Sequence, residues 1–193
     1  RENYLKRENP DWLLKSWWNQ GLWNLANPKL RQHKVKILRE IISNYNLSGI
    51  QLDFARHTPC LPPGAEWENR EHATCFVQMI REMLAEMEQL KKRPLLLLAR
   101  VAENPEGNHF DGLEVERWLA EGLIDILVPG GRAASVDIAG YRRLRGGDKV
   151  KISPCMDAVH TPEGYHRAPE EYLRGIFSNW ILQGADSITC FNW

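Results

Sequence analysis

The sequence predicts an α/β fold built on a parallel sheet, on three observations. Short apolar runs of strand length alternate five times with segments of helical periodicity, an order that demands crossover connections rather than hairpins. The densest run, Pro94 to Val101, is apolar almost throughout, as a strand buried on both faces of a parallel sheet would be. Polar residues gather where the strands end: Asp53, Arg100, Asp157 and Asn192. That last feature favours part of a (β/α)8 barrel, which carries its site at the C-terminal ends of its strands, over an open doubly wound sheet. No strand is followed by Gly-x-Gly-x-x-Gly, and Gly130-Gly131 alone is too short a signal for a dinucleotide site.

Residues 1–26 form a Trp-rich, irregular N-terminal segment with a short helical turn from about Asp11. Asn27-Pro28 then opens a helix, because Asn caps free N–H groups and Pro is tolerated in the first turn. Its apolar stripe is Leu30, Ile37, Leu38, Ile41, Ile42 and Tyr45. The strand Ser48 to His57 alternates: Ile50, Leu52 and Phe54 fall on one face, and Gly49, Gln51 and Asp53 on the other. It delivers Asp53, Arg56 and His57 to one rim before the loop Thr58 to Glu68.

A long helix follows from about Asn69 to Lys92, burying Phe76, Met79, Ile80, Met83, Leu84 and Met87, and leads to the strand Pro94 to Val101. The loop Asn104 to Asp111 precedes a helix from Leu113 to about Glu121, with Val115, Trp118 and Leu119 inward and Gly122 as the break. Ile124 to Val128 is a strand stopped by Pro129-Gly130-Gly131. A weak helix, Val136 to Leu144, leads to the strand Lys149 to Pro154 and then a polar loop, Cys155 to Ala168. Pro169-Glu170-Glu171 places acidic groups at the start of the last helix, which carries Leu173, Ile176, Phe177, Trp180 and Ile181 inward. Ser187 to Trp193 is the final strand.

With 25 basic and 25 acidic residues in balance, no global field argues for nucleic acid, a membrane surface or a polyanionic substrate as partner, and no nucleic-acid partner is expected. No window is long and apolar enough for a membrane span. Cys60, Cys75, Cys155 and Cys190 are too widely spaced for a structural zinc site, and isolated thiols are expected, with a disulfide as the alternative. No cofactor or metal is implied, and the oligomeric state is left open. The chain opens at Arg1 without an initiator Met or a signal-like segment, so it reads as a fragment or a processed piece whose export is not decided by its sequence.

Five blocks carry a resemblance. Asn27-Pro28 with its helix to Tyr45, Ser48-Gly-Ile-Gln-Leu-Asp-Phe-Ala-Arg56, Arg93-Pro-Leu-Leu-Leu-Leu-Ala-Arg-Val101, Gly112 through Pro129, and Gly184-Ala-Asp-Ser-Ile-Thr-Cys-Phe-Asn-Trp193 together resemble the glycosyl hydrolase-like 10 family of TIM-barrel proteins. The likeness runs from about Trp23 to Trp193, with Ser48 where the family commonly has Asp and Ser187 where Gly is usual. It implies that residues 27–193 are the C-terminal part of a (β/α)8 barrel, about strands four to eight, since 193 residues fall short of a usual barrel of roughly 250. It also implies a carbohydrate substrate and a secreted or extracytoplasmic location.

Glycoside hydrolysis uses two carboxyl groups across the scissile bond. Asp53, at a strand's C-terminal end, is the first candidate, and Glu103, just past the next strand, is its partner; Asp157 is the reserve. The structural alternative for Asp53 is a carboxylate bonded to Arg56 or Arg100 that holds loops in place. Arg56 and Arg100 can bind sugar hydroxyls or tune the carboxylate, and His57 can contact substrate. Trp67, Asn192 and Trp193 are rim residues able to stack on or orient a sugar. Asp125, at the opposite strand end, reads as structural. Two further functions stay open: a non-catalytic carbohydrate-binding barrel, and a metal-dependent barrel hydrolase using Asp53, His57, Asp157 and His160, for which the His-x-His or His-x-x-x-His spacing is absent.

Overall fold

The structure is a computed structural model that describes residues 4–131, 133–157 and 168–192. The chain divides into two compact units. The first comprises Arg1–Gly49, His57–Leu95 and His109–Glu114, and the second Ile50–Arg56, Leu96–Asn108 and Val115–Trp193. Among the described residues no helix is long and apolar enough to cross a membrane.

In the first unit, the segment read as irregular holds a short helix α1 (Tyr4–Glu8), a 3-10 turn at Pro10–Trp12 and an antiparallel ribbon of β1 (Leu13–Leu14) and β2 (Leu22–Trp23). Two-residue strands are too short to show an alternation, which is why the pattern missed them. Helix α2 (Pro28–Asn44) starts as expected: the Asn27 side chain accepts from the N–H groups of Lys29 and Leu30. It packs on α3 (Arg70–Lys91), whose buried row runs through Phe76, Val77, Ile80, Met83, Leu84 and Met87. Ile37 and Tyr45, expected inside, are exposed. Arg39 and Ser43 touch Glu86 and Met87 of α3, and Ile37 stands about 200° around the helix from Arg39. Tyr45 lies past the last turn as the C-cap.

The second unit holds the sheet. Strands β3 (Gly49–Asp53), β4 (Leu96–Val101), β5 (Ile126–Pro129) and β6 (Lys151–Ile152) lie side by side in chain order, with β4, β5 and β6 parallel. The expected strand Lys149 to Pro154 and the loop after it are corrected here. Pro154 has no N–H to give a ladder, so the strand breaks after β6 and resumes as β7 (Cys155–Asp157). That resumed piece pairs in parallel with β8 (Thr189–Phe191), and Gly130 bridges to Cys155, so β7 continues the course of β6 between β5 and β8. The Pro154 carbonyl accepts from Thr189 N–H, and the Ile152 carbonyl from Asp186 N–H.

Strand β4 is not buried on both faces as expected. Leu97, Ala99 and Val101 are fully buried, but on the other face exposure falls from 39% at Leu96 to 1% at Arg100. In register with that face, Ile126 is half-buried and Lys151 exposed, so it is open at the N-terminal strand ends and closes toward the C-terminal ends. At roughly 1.5–3 kcal/mol per fully buried large apolar side chain, the covered face carries most of the sheet's hydrophobic stabilisation.

Helices follow these strands. The expected loop after β4 contains α4 (Pro105–Phe110), signalled by Asn104-Pro105 as Asn27-Pro28 signals α2; Asn104 Oδ1 accepts from Gly107 N–H at 2.7 Å. Helix α5 (Val115–Ala120) buries Val115, Trp118 and Leu119, and Phe54 lies 5.3 Å from Trp118 between ring centroids. Helix α6 (Ile138–Arg143) is capped by Asp137. The last helix, α7 (Glu170–Leu182), anchors Trp180, whose indole N–H donates to the Ala134 carbonyl. Ile181 is exposed, since a residue one step from Trp180 is turned about 100° away.

Candidate functional site

The second unit brings polar groups together at the C-terminal ends of its strands. Asp53 closes β3, and the Phe54 N–H donates to the Arg100 carbonyl of β4, which sets the two residues side by side. Arg100 Nη1 then reaches Asp53 Oδ2 at 3.1 Å. The other carboxylate oxygen, Oδ1, accepts from the N–H groups of Ala55 at 3.1 Å and Arg56 at 2.9 Å, so Asp53 also folds the turn that leaves its strand.

Arg100 is 1% exposed although it carries a charge. Its Nε donates to the Gly130 carbonyl at 3.1 Å, and its guanidinium lies over the Phe191 ring at 4.4 Å. Phe191 is in register with Asp157, and Asn192, in the left-handed region at φ +59°, donates from Nδ2 to Asp157 Oδ1 at 3.1 Å. Asp157 is buried. Cys155 sits among these charges: burial, helped by Asp53 and Asp157 and opposed by Arg100, pushes its thiol up to about 11.

Glu103, two residues past β4, is half-buried and tied to the start of α6, its carbonyl accepting from Asp137 N–H at 2.9 Å. Behind it a buried network fixes the chain after β4. Tyr141 donates to the Ala102 carbonyl, and Asn108 donates to the Tyr141 hydroxyl while accepting from Ala102 N–H. Desolvation raises the Tyr141 phenol, so it stays a donor. Asp125 is structural: its carboxylate accepts from Leu97 N–H at 2.7 Å, joining the N-terminal ends of β4 and β5.

Asp53, Arg56, Arg100, Glu103, Asp157 and Asn192 thus belong to the second unit, and His57 and Trp67 to the first. The exposed His57 ring stacks on Trp18 at 5.8 Å. Trp67 packs on His109 at 3.7 Å and carries the Arg70 guanidinium at 4.8 Å, so its indole already has two ring partners. Trp193 and His160 lie outside the described residues. All four cysteines are free thiols, and among the described residues no group of three or more His, Cys, Asp or Glu is arranged to hold a metal ion. The residues that sequence reasoning passed over are Gly130, Gly131 and Phe191. Two glycines directly after an apolar strand, at the end where sites form, are the available signal.

No family model matches the sequence, and no curated protein is significantly similar to it. Among solved structures, the glycoside hydrolase domain of PgaB (BpsB) from Bordetella bronchiseptica superposes with a TM-score of 0.63 at 10% identity, over 90% of this chain and 60% of that one. A glycoside hydrolase family 18 N-acetylglucosaminidase from Paenibacillus barengoltzii gives a TM-score of 0.44 at 21% identity over 66% of this chain and 38% of that one. Chitinase ChiA74 from Bacillus thuringiensis gives 0.48 at 14% identity over 69% and 25%. The PgaB likeness carries the fold: an α/β chain with a parallel sheet that fits a partial TIM-barrel-like, glycoside hydrolase-like architecture. The chain spans about 60% of the length of that domain.

Proposed function

We propose that residues 27–193 are the C-terminal part, about strands four to eight, of a (β/α)8 glycoside hydrolase of the glycosyl hydrolase-like 10 type, preceded by the Trp-rich segment 1–26. In this reading the protein cleaves an oligo- or polysaccharide through a carboxylate pair centred on Asp53. The observation that carries it is the meeting of Asp53 and Arg100 at the C-terminal ends of adjacent strands, with Asp157 and Asn192 joined at the ends of β7 and β8. Barrel enzymes place their chemistry at that end.

The donors around Asp53 support one role for it over another. Ala55 N–H, Arg56 N–H and Arg100 Nη1 all donate to it, so the carboxylate is arranged as an acceptor. It suits the nucleophile or base rather than the acid that protonates the leaving oxygen. The acid is then a second carboxyl, about 5–10 Å away. Glu103, two residues past β4, is half-buried and is the candidate for it; Asp157 is buried and held by Asn192, which makes it the reserve. Arg56, Arg100 and Asn192, with Trp193, would bind and orient the sugar.

A second reading has an observation of its own. Both Asp53 oxygens are engaged in holding the turn and Arg100, as they would be in a carbohydrate-binding barrel that orients a sugar without reacting. Incubation with a glycan panel separates the two. New reducing ends released from any member support the hydrolase, and saturable binding with no release supports the binding barrel.

A further inference from the structure

Gly130-Gly131 is left unused by the function just proposed, yet Gly131 is shaped around Arg100. Its φ is +117°, a conformation that side chains rarely adopt, and a Cβ there would stand 1.7 Å from Arg100 Nη2, 2.5 Å from Cζ and 2.8 Å from Nε. The guanidinium therefore fills the space that a side chain at position 131 would need. Phe191 lies 4.4 Å from Cζ, Gly130 accepts from Nε, and Asp53 accepts from Nη1. Among the described residues, Nη2 is buried with no hydrogen-bond partner. A buried donor left unpaired is costly, so packing has to hold the guanidinium where its own hydrogen bonds do not.

We propose that Gly131 is a positioning residue: its bare backbone is the seat that fixes the Arg100 guanidinium against Asp53, and any side chain at 131 swings Arg100 off the carboxylate. The inference rests on the Asp53-centred reading. It predicts that Gly131 acts through Arg100, whereas a glycine kept only for its backbone angle would act without it.

The test compares the full chain with Gly131→Ala, Arg100→Lys, and Gly131→Ala combined with Arg100→Lys or with Arg100→Ala. In the parent, the Arg100 Nε–H should exchange with solvent about tenfold or more slowly than that of an exposed arginine such as Arg143. Gly131→Ala should abolish that protection. On a glycan that the parent cleaves, kcat should fall about a hundredfold with KM nearly unchanged, as for misplacement of a group near the reacting atoms. Gly131→Ala should slow Arg100→Lys no further. A Gly131→Ala protein that keeps its protected Nε–H, or that lowers kcat equally in both backgrounds, overturns the proposal. Where Gly131→Ala does not fold, recovery of folding in Gly131→Ala/Arg100→Ala supports the seat, and its failure assigns the glycine to backbone conformation alone and overturns it. If the parent cleaves no glycan, the Asp53 reading fails, while the exchange and folding comparisons still decide the seat.

Discussion

Arg100 is almost fully buried, and its Nη1 meets Asp53 Oδ2 at 3.1 Å across the ends of β4 and β3. The two partners are unequal. Asp53 keeps 29% of its side chain exposed and has two backbone donors besides, whereas Nη2 of Arg100 has no hydrogen-bond partner among the described residues.

Removing Asp53 should therefore be severe. Asp53→Ala strands a buried guanidinium and is expected to cost about 3–5 kcal/mol in urea unfolding. Replacing Arg100 by Met in the same protein, which removes the stranded charge at similar volume, should return most of that loss. A double variant whose loss is the sum of the two single losses would show that the pair is not coupled.

The cysteines should differ in reactivity. Burial pushes the Cys155 thiol up to about 11 and Cys190 is exposed, so a thiolate-directed alkylating reagent at neutral pH should modify Cys190 well before Cys155. Peptide mapping by mass spectrometry reads the order, and early labelling of Cys155 would contradict it.

Acid should weaken the second unit through Asp186. Burial by itself would raise this carboxyl, but the Ile152 N–H, Lys151 and Arg142 outweigh that and hold it down at about 2. A depressed carboxyl stabilises the fold above its unfolded value, near 4, and that contribution disappears as the pH falls toward about 2. Asp186→Asn should flatten the stability profile across this window. An unchanged acid limb would remove Asp186 as its source.

Asn27→Ala should lower stability by about 1 kcal/mol, because two N–H groups in the first turn of α2 lose their acceptor. Asn27→Ser should recover most of it. Equal thermal denaturation of the parent and Asn27→Ala would show that the cap contributes nothing.

Much of the sheet was legible in the sequence because its signals are local. The alternation of Ile50, Leu52 and Phe54 against Gln51 and Asp53 gave the face that β3 buries, and Asn27-Pro28 gave the start of α2. The break at Pro154 was harder: Cys155, Met156 and Asp157 form a strand only because β8 and Gly130 lie beside them, a pairing with residues far off in the chain. Tertiary packing likewise decided which residues of the α2 and α7 stripes were covered, leaving Ile37 and Ile181 exposed. At the candidate site, strand-end position was enough to nominate Asp53, Arg100, Asp157 and Asn192. The seat formed by Gly131 and Phe191 was not legible, since it depends on where one long side chain lies in three dimensions.

The central claim is that Asp53 is the reacting carboxylate of a glycoside hydrolase, and the most direct measurement is reducing-end release by the parent and by Asp53→Asn on the same glycan. The amide nearly preserves shape and still accepts hydrogen bonds at one atom, so binding should persist within a few-fold. Release should fall by about a thousandfold or more, the scale expected when a catalytic group is lost. Unchanged release by Asp53→Asn would contradict the assignment and leave Asp53 as the residue that holds Arg100 and the turn after β3.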